Sequence, residues 1–389
     1  MKTGLSRLLD DPKRYLGSAR IGLVANPTTV DERLRHAGDL LHAHPDVKLT
    51  QLFGPEHGIR GDAQYMVDVD DEHDARTGLP VSSLYGRTYA SLTPRENELS
   101  RVDALVFDIQ DVGVRYYTYA ATMALCMQAA GNAGKKVIVL DRPNPIGGVQ
   151  VEGGGLDPWL ASFVGLYAIP HRHGMTVGEL ARLYTTRFGI ACEVEVIGCE
   201  GWKRGDYYDA TGLPWVMPSP NMPTVDTALV YAGMCLLEGT NVSEGRGTTR
   251  PFEYAGAPFV DSAALTRELL DYGLPGVLFR PCTFRPTFDK FTGVVCNGVQ
   301  MHVIDREIFQ SYRTGLAIVH ALRNVYPTEF AWRADTYEFR HDVPAFDLLT
   351  GSAKVRKLID SGAPFVDVLH TALQGAETYH ASRHEALLY

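Results

Sequence analysis

Over the first 140 residues, short apolar runs alternate with segments whose apolar positions fall three and four apart. Residues 21–25 (Ile-Gly-Leu-Val-Ala), 47–53, 104–109 and 136–140 read as buried strands. Leu34, Ala37, Leu40 and Leu41 within 31–43 have helical spacing, and the alanine- and methionine-rich stretch 116–133 predicts a second helix. Strands that are continuous rather than alternating are covered on both faces. Their alternation with helices predicts an α/β fold, a doubly wound, Rossmann-like, mostly parallel sheet followed by a smaller α/β domain.

Parallel strands bring their carboxyl ends to one rim, where α/β proteins bind ligands. Four such ends carry Asn26; Glu56, His57 and Arg60; Asp108, Asp111 and Arg115; and Asp141, Arg142 and Asn144. The turn after the first strand reads Asn26-Pro27-Thr28-Thr29-Val30, without the glycines that let backbone approach a pyrophosphate, and no Walker A sequence occurs. The fold is therefore expected without a dinucleotide, and no cofactor is expected. The long irregular stretch 60–101 reads as a functional loop.

Gly147, Gly148 and Gly153 to Gly155 bracket a short segment and predict a junction between domains at 1–155 and 156–389. Beyond it, 163–169, 192–197, 277–284 and 294–304 read as strands. Helices are predicted over 176–188, opened by a Thr176/Glu179 capping box, over 224–237 and over 307–325. The loop 241–250 is dense in small and charged residues, as expected of a segment that is mobile or ordered by a ligand. The apolar end, 385–389, is expected to dock.

A net charge of −9 argues against a nucleic-acid partner. No window approaches about 18 consecutive apolar residues, so no membrane span is expected. The first 20 residues carry charges throughout and no signal-like apolar stretch. The six cysteines form no C-x-x-C pair and read as thiols of a reducing cytosol. A cytoplasmic protein is expected.

The chemistry then narrows. Glu56 beside His57, on a partly desolvated rim, suits acid/base work. Asp108 and Asp111 could be paired carboxylates, or Asp108 a turn cap. Glu152 among glycines reads as a hinge residue or a second catalytic carboxylate. Glu244 and Arg246, flanked by glycines, read as a ligand clamp or an internal ion pair. His171-x-His173 has metal-like spacing but no third ligand nearby, so no metal is expected. Tyr116, Tyr117 and Tyr119, with Trp159, Trp202 and Trp215, could pack in the core or stack on a sugar. No nucleophile elbow, S-x-x-K or H-E-x-x-H occurs. A carboxylate-rich, nucleophile-poor inventory points to glycoside hydrolysis.

Seven strings occur in order: Asn26-Pro27-Thr28, Phe53-Gly54-Pro55-Glu56-His57-Gly58-Ile59-Arg60-Gly61, Asp108-Ile109-Gln110-Asp111-Val112-Gly113, Asp141-Arg142-Pro143-Asn144-Pro145, His173-Gly174-Met175-Thr176, Pro218-Ser219-Pro220-Asn221-Met222-Pro223-Thr224, and Glu238-Gly239-Thr240-Asn241 through Arg250-Pro251-Phe252-Glu253. From about residue 20 to 389 the chain resembles the exo-β-N-acetylmuramidases, a glycoside hydrolase family formerly grouped as a domain of unknown function. The resemblance implies removal of N-acetylmuramic acid from the non-reducing ends of peptidoglycan fragments, in a cleft between the two domains, as part of cell-wall recycling. It maps the family's motif glutamate onto Glu56. It gives Arg60, Arg115, Arg142 and Arg246 a reason to face the substrate's lactyl carboxylate, which a guanidinium binds bidentately. Asn26, His57, Asp111, Asn144, His173, Asn221 and Asn241 complete the expected binding set. Glu152, Glu244 and Asp108 are the candidates for the second carboxylate. A non-catalytic amino-sugar-binding or sensing protein with the same cleft is the alternative.

Overall fold

In the computed structural model, residues 1–61 and 72–389 are described. Asp62, and the part of the 60–101 stretch between 62 and 71, lie outside the described residues. The first sheet has seven strands in the order β3-β4-β2-β1-β5-β6-β7. They are β1 (Arg20–Ala25), β2 (Lys48–Gly54), β3 (Glu72–His73), β4 (Pro80–Ser83), β5 (Ala104–Asp108), β6 (Lys136–Leu140) and β7 (Val194–Ile197). All pairings are parallel except β3 against β4. The central strands are apolar on both sides because both sides are covered. Ile21, Leu23 and Ala25 join Val106, Ile138 and Leu140 in a core under Leu5 and Leu8. Val24, Phe107, Val137 and Val139 face the opposite core, which includes the Tyr119–Asn132 helix.

That second core does not stop at the sheet. It runs on through the Val225–Met234 and Ser311–Val325 helices, so the two halves of the chain share one apolar interior. The smaller unit carries an antiparallel sheet, β8 (Tyr254–Ala257), β9 (Val277–Phe284) and β10 (Cys296–Val303), in the order β8-β10-β9. Four short helices between Ala345 and Ala386 close the chain. The last residues dock, as their apolar character predicts: Tyr389 donates its hydroxyl to Asp141 Oδ2 at 2.7 Å, and Leu388 N donates to Glu179 Oε1 at 2.8 Å.

Several local expectations change. The helix expected over 31–43 spans only Ala37–Ala43, because Asp31 accepts from the backbone N–H groups of Arg33 and Arg35 and Leu34 turns left-handed at φ 62°. Residues 163–169 form no strand. Ser162 and Gly165 exchange both backbone hydrogen bonds in a tight turn, and Phe163, Val164 and Ile169 are buried from a loop. Within 60–101 lies a sheet strand, β4, beside β2. The glycine segment 147–155 is pinned rather than loose. Glu152 and Arg172 exchange backbone bonds at 3.0 Å, and Gly155 N donates to Gln374 O at 2.9 Å. The parallel sheet draws β7 from beyond residue 155, where the junction was expected.

Candidate active site

β2 ends at Gly54, and the chain reverses at once. Gly58 N donates to Pro55 O at 2.9 Å, with His57 and Gly58 both at φ 73°. A Cβ on Gly54 would lie 3.1 Å from Ile59 Cγ1 and 3.2 Å from Ile59 N, a tight fit that glycine relieves. This turn lifts Glu56, 7% exposed, over the start of the helix that follows β5. Thr118, the residue before that helix, donates its hydroxyl to Glu56 Oε2 at 3.1 Å. The helix N-terminus thus presents both a donor and its dipole to the carboxyl.

Around Glu56 side chains of both units line a cleft. The first unit supplies His57, Tyr116, Tyr117 and Tyr119; the second supplies Tyr231, Glu238, Arg246, Phe252, Tyr337 and Glu338. Four of the aromatic rings pack edge to face in series, Tyr119 on Tyr117 at 5.1 Å, Tyr117 on Tyr231 at 5.6 Å and Tyr231 on Phe252 at 4.7 Å. Tyr119 is further fixed by donation to Pro218 O at 2.5 Å. His57, Phe252 and Glu338 line the cleft with positive φ angles of 73°, 63° and 43°. Non-glycine residues pay about 1–2 kcal/mol each for that backbone, and such strain collects at functional sites.

Charge in the cleft wall is organised by Arg246. Its Nη2 donates to Glu238 Oε1 at 2.7 Å, its Nε lies 3.2 Å from Glu244 Oε1, and its guanidinium sits 5.0 Å from the Phe252 ring. Tyr337 donates to Glu238 Oε2 at 2.8 Å. Burial pushes the Glu238 carboxyl up, but Arg246 and Tyr337 outweigh it and hold the group below its ordinary range. Glu338 goes the other way. Burial, then Glu56, then Glu238 push it well above the carboxylate range, against Arg246 and Arg333.

Most of the other expected residues have settled partners and do not line the cleft. Asp108 is fully buried and paired with Arg142, whose Nη2 reaches Oδ2 at 2.9 Å. Glu152 pairs with Arg172 at 2.9 Å and accepts from Tyr312 N. Glu244 bonds Lys290 at 2.9 Å, an ion pair that ties the 241–250 loop to a residue outside it. Arg60 binds Asp39 and Asp74. Arg115 is buried against the carbonyls of Gly155, Ile169 and Leu349, and burial lowers its pKa to about 10. Of the four expected arginines, Arg246 alone lines the cleft.

Asn26 Oδ1 accepts from Thr28, Asn144 bridges Met175 O and Ile146 N, and Asn241 bridges Glu329 O and Ala331 N. Asp111 Oδ2 accepts from Gly113 N and lies 3.4 Å from His173 Nε2, while its Oδ1 is buried without a partner. Gly113 is needed there at φ 85°, since a Cβ would stand 2.5 Å from Asn144 Oδ1. Asn221 Nδ2 is likewise buried and unpartnered, two residues from Ser219 on the cleft wall. His171 is pushed well below its ordinary pKa by burial and by Arg115. Among the described residues no group of three or more His, Cys, Asp or Glu is placed to hold a metal ion.

Sequence reasoning passed over Glu238, Tyr231, Tyr337 and Glu338 as site residues. Glu238 stood in a quoted motif and could have been weighed. Tyr337-Glu338-Phe339 belongs to no motif and carries no local signal.

A doubly wound sheet whose rim carboxyl shares an aromatic-walled cleft with two further carboxyls is an arrangement suited to a glycoside hydrolase. The chain belongs to the exo-β-N-acetylmuramidase family: residues 21–226 match the model of the N-terminal part of exo-β-N-acetylmuramidase NamZ, and residues 229–389 match that of its C-terminal part. It is 46% identical to the peptidoglycan β-N-acetylmuramidase NamZ of Bacillus subtilis (strain 168) over all of this chain and 91% of that protein. Two crystal structures of DUF1343 family proteins from Bacteroides fragilis NCTC 9343 share the fold. One has a TM-score of 0.91 at 35% identity, the other 0.77 at 29%, each over 100% of this chain and 98% of its own. No helix among the described residues is long and apolar enough to cross a membrane.

Proposed function

We infer that this protein is an exo-acting β-N-acetylmuramidase, releasing N-acetylmuramic acid from the non-reducing ends of peptidoglycan fragments. The observation that carries this is Glu56. It sits on a turn with positive φ at His57 and Gly58, accepts from the Thr118 hydroxyl, and lines a cleft built from both units. The edge-to-face tyrosines supply apolar faces for a pyranose ring. Arg246 is the arginine we assign to the lactyl carboxylate, because it lines the cleft, where its guanidinium lies 5.0 Å from the Phe252 ring.

All six cysteines are thiols and five are buried, which suits a reducing compartment. We place the reaction in the cytoplasm, on imported muropeptide sugars, and fractionation of cells followed by detection of the protein checks this.

The test of function is hydrolysis of an N-acetylmuramic acid–N-acetylglucosamine disaccharide and of a chromogenic muramic acid β-glycoside. Wild type should release muramic acid, and Glu56→Gln should lose most turnover while keeping its melting temperature. Binding of the disaccharide without turnover by wild type would overturn the assignment in favour of a sugar sensor.

A further inference from the structure

Hydrolysis of a glycoside uses two carboxyl groups on either side of the scissile bond. Of the carboxyls expected from sequence, only Glu56 lines the cleft. We propose that Glu338 is the second, and that it delivers the proton to the leaving oxygen while Glu56 serves the attacking side. This rests on the muramidase reading above.

Three features of Glu338 support the assignment. It lines, from the second unit, the same cleft that Glu56 lines from the first, and is near enough for the two like charges to act on each other. It is only 3% exposed, and its Oε2 has no hydrogen-bond partner. A buried polar atom without a partner costs about 1–3 kcal/mol, and a substrate oxygen would relieve that. Its backbone is held at φ 43° in a turn closed by reciprocal Tyr337 and Arg340 bonds of 2.9 and 3.0 Å. Phe339 locks the turn, 6.0 Å from the Tyr85 ring and 6.1 Å from Phe163.

The competing carboxyls are engaged. Both Glu238 oxygens accept bonds, from Arg246 and Tyr337. Glu244 faces Arg246 with one oxygen and Lys290 with the other. Burial and the like charges of Glu56 and Glu238 push the Glu338 carboxyl well above its ordinary range, with Arg246 and Arg333 opposing. A carboxyl raised by its surroundings is the one suited to act as acid.

In the cleavage step the bond from the anomeric carbon to the leaving oxygen breaks. Its electron pair stays on that oxygen, which takes the Glu338 proton. Water supplies the new oxygen on the anomeric carbon. Attacking directly, it leaves its proton on Glu56, and exchange with solvent resets the pair. Attacking a glycosyl ester of Glu56, it returns the proton to Glu338. Both routes consume one water and restore the proton count.

The experiment compares the disaccharide, whose leaving group needs a proton, with a dinitrophenyl muramic acid β-glycoside, whose leaving group does not. Glu338→Gln should lose about 10²–10⁴-fold in kcat/KM on the disaccharide and less than about 10-fold in kcat/KM on the dinitrophenyl glycoside. Glu56→Gln should lose heavily on both. Wild type alone gives an independent check, since the basic limb of its kcat/KM profile should be present for the disaccharide and absent for the dinitrophenyl glycoside. Equal losses on both substrates in Glu338→Gln, near-full disaccharide turnover in it, or identical wild-type profiles would each overturn the role of Glu338 alone. A wild type inert on both substrates would overturn the muramidase reading and this proposal with it.

Discussion

Arg142 and Asp108 form a two-pronged ion pair at the carboxyl edge of the sheet, Nε to Oδ1 at 2.5 Å and Nη2 to Oδ2 at 2.9 Å, with side chains 5% and 0% exposed. Both were expected at the site from their place on the rim. Their geometry makes them a brace between β5 and β6. Removing one partner leaves the other charge buried and alone, which costs about 3–5 kcal/mol. Asp108→Ala should therefore lower the melting temperature sharply, and Arg142→Lys, which loses the fork, should lower it less. Thermal unfolding monitored by circular dichroism measures both.

Glu152 offers a contrast with Glu56. It sits against Arg172 and accepts from Tyr312 N at 2.9 Å. Glu152→Gln keeps the shape and loses the charge. Turnover on a muramic acid glycoside should stay within about threefold of wild type, while stability falls by about 1–3 kcal/mol. A loss of turnover rivalling that of Glu56→Gln, at unchanged stability, would contradict this placement.

Asp141 gives a pH dependence with a definite sign. It is fully buried, and burial raises its carboxyl from 3.8 to about 6, with the Tyr389 hydroxyl pulling it back. Well below its ordinary value of 3.8 it is protonated in both folded and unfolded chains. As pH rises toward 6 the unfolded chain releases the proton and the folded one keeps it, so stability declines through that window. Tyr389→Phe removes the opposing donor and raises the folded value further. The melting temperature gap between wild type and Tyr389→Phe should widen from pH 4 to pH 7.5, toward the about 1.5–3 kcal/mol typical of a hydrogen bond to a charged group.

Glu338 has the same sign for the same leading reason, burial, reinforced by Glu56 and Glu238. Its contribution should be neutral at acid pH and destabilising at neutral pH, where the unfolded chain gains by ionising it. Glu338→Gln should then melt higher than wild type at pH 7.5 and level with it at pH 4. Equal shifts at both values would contradict a carboxyl held protonated in the cleft.

Arg246→Lys keeps a positive charge but cannot span Glu238 and Glu244 while lying on Phe252. We expect kcat/KM for muramic acid glycosides to fall by about tenfold or more. Against glycosides lacking the lactyl group, the two proteins should differ much less. Steady-state kinetics on the paired substrates separates a loss of recognition from a general collapse of the cleft.

Much of the fold was legible in the chain itself. Continuous apolar runs at 21–25, 104–109 and 136–140 could only be strands covered twice, and their alternation with helices left a doubly wound sheet. The capping box at Thr176, the docking of the apolar end and the rim turn around Glu56 were local signals, written within a few neighbouring residues. What local pattern could not carry was pairing. Residues 163–169 have a strand's composition but fold as a buried loop because Ser162 and Gly165 close a tight turn. Whether a rim charge faces substrate or another charge depends on what lies across the sheet. Asp108 meets Arg142 and Arg60 meets Asp39 and Asp74, over separations of 34, 21 and 14 residues. The sequence by itself determined the strand ends, the turn that lifts Glu56 and the family. Only the tertiary structure decided which carboxyls share the cleft with it. Glu238 and Glu338 come from the other unit, and burial beside like charge, not any motif, is what marks Glu338.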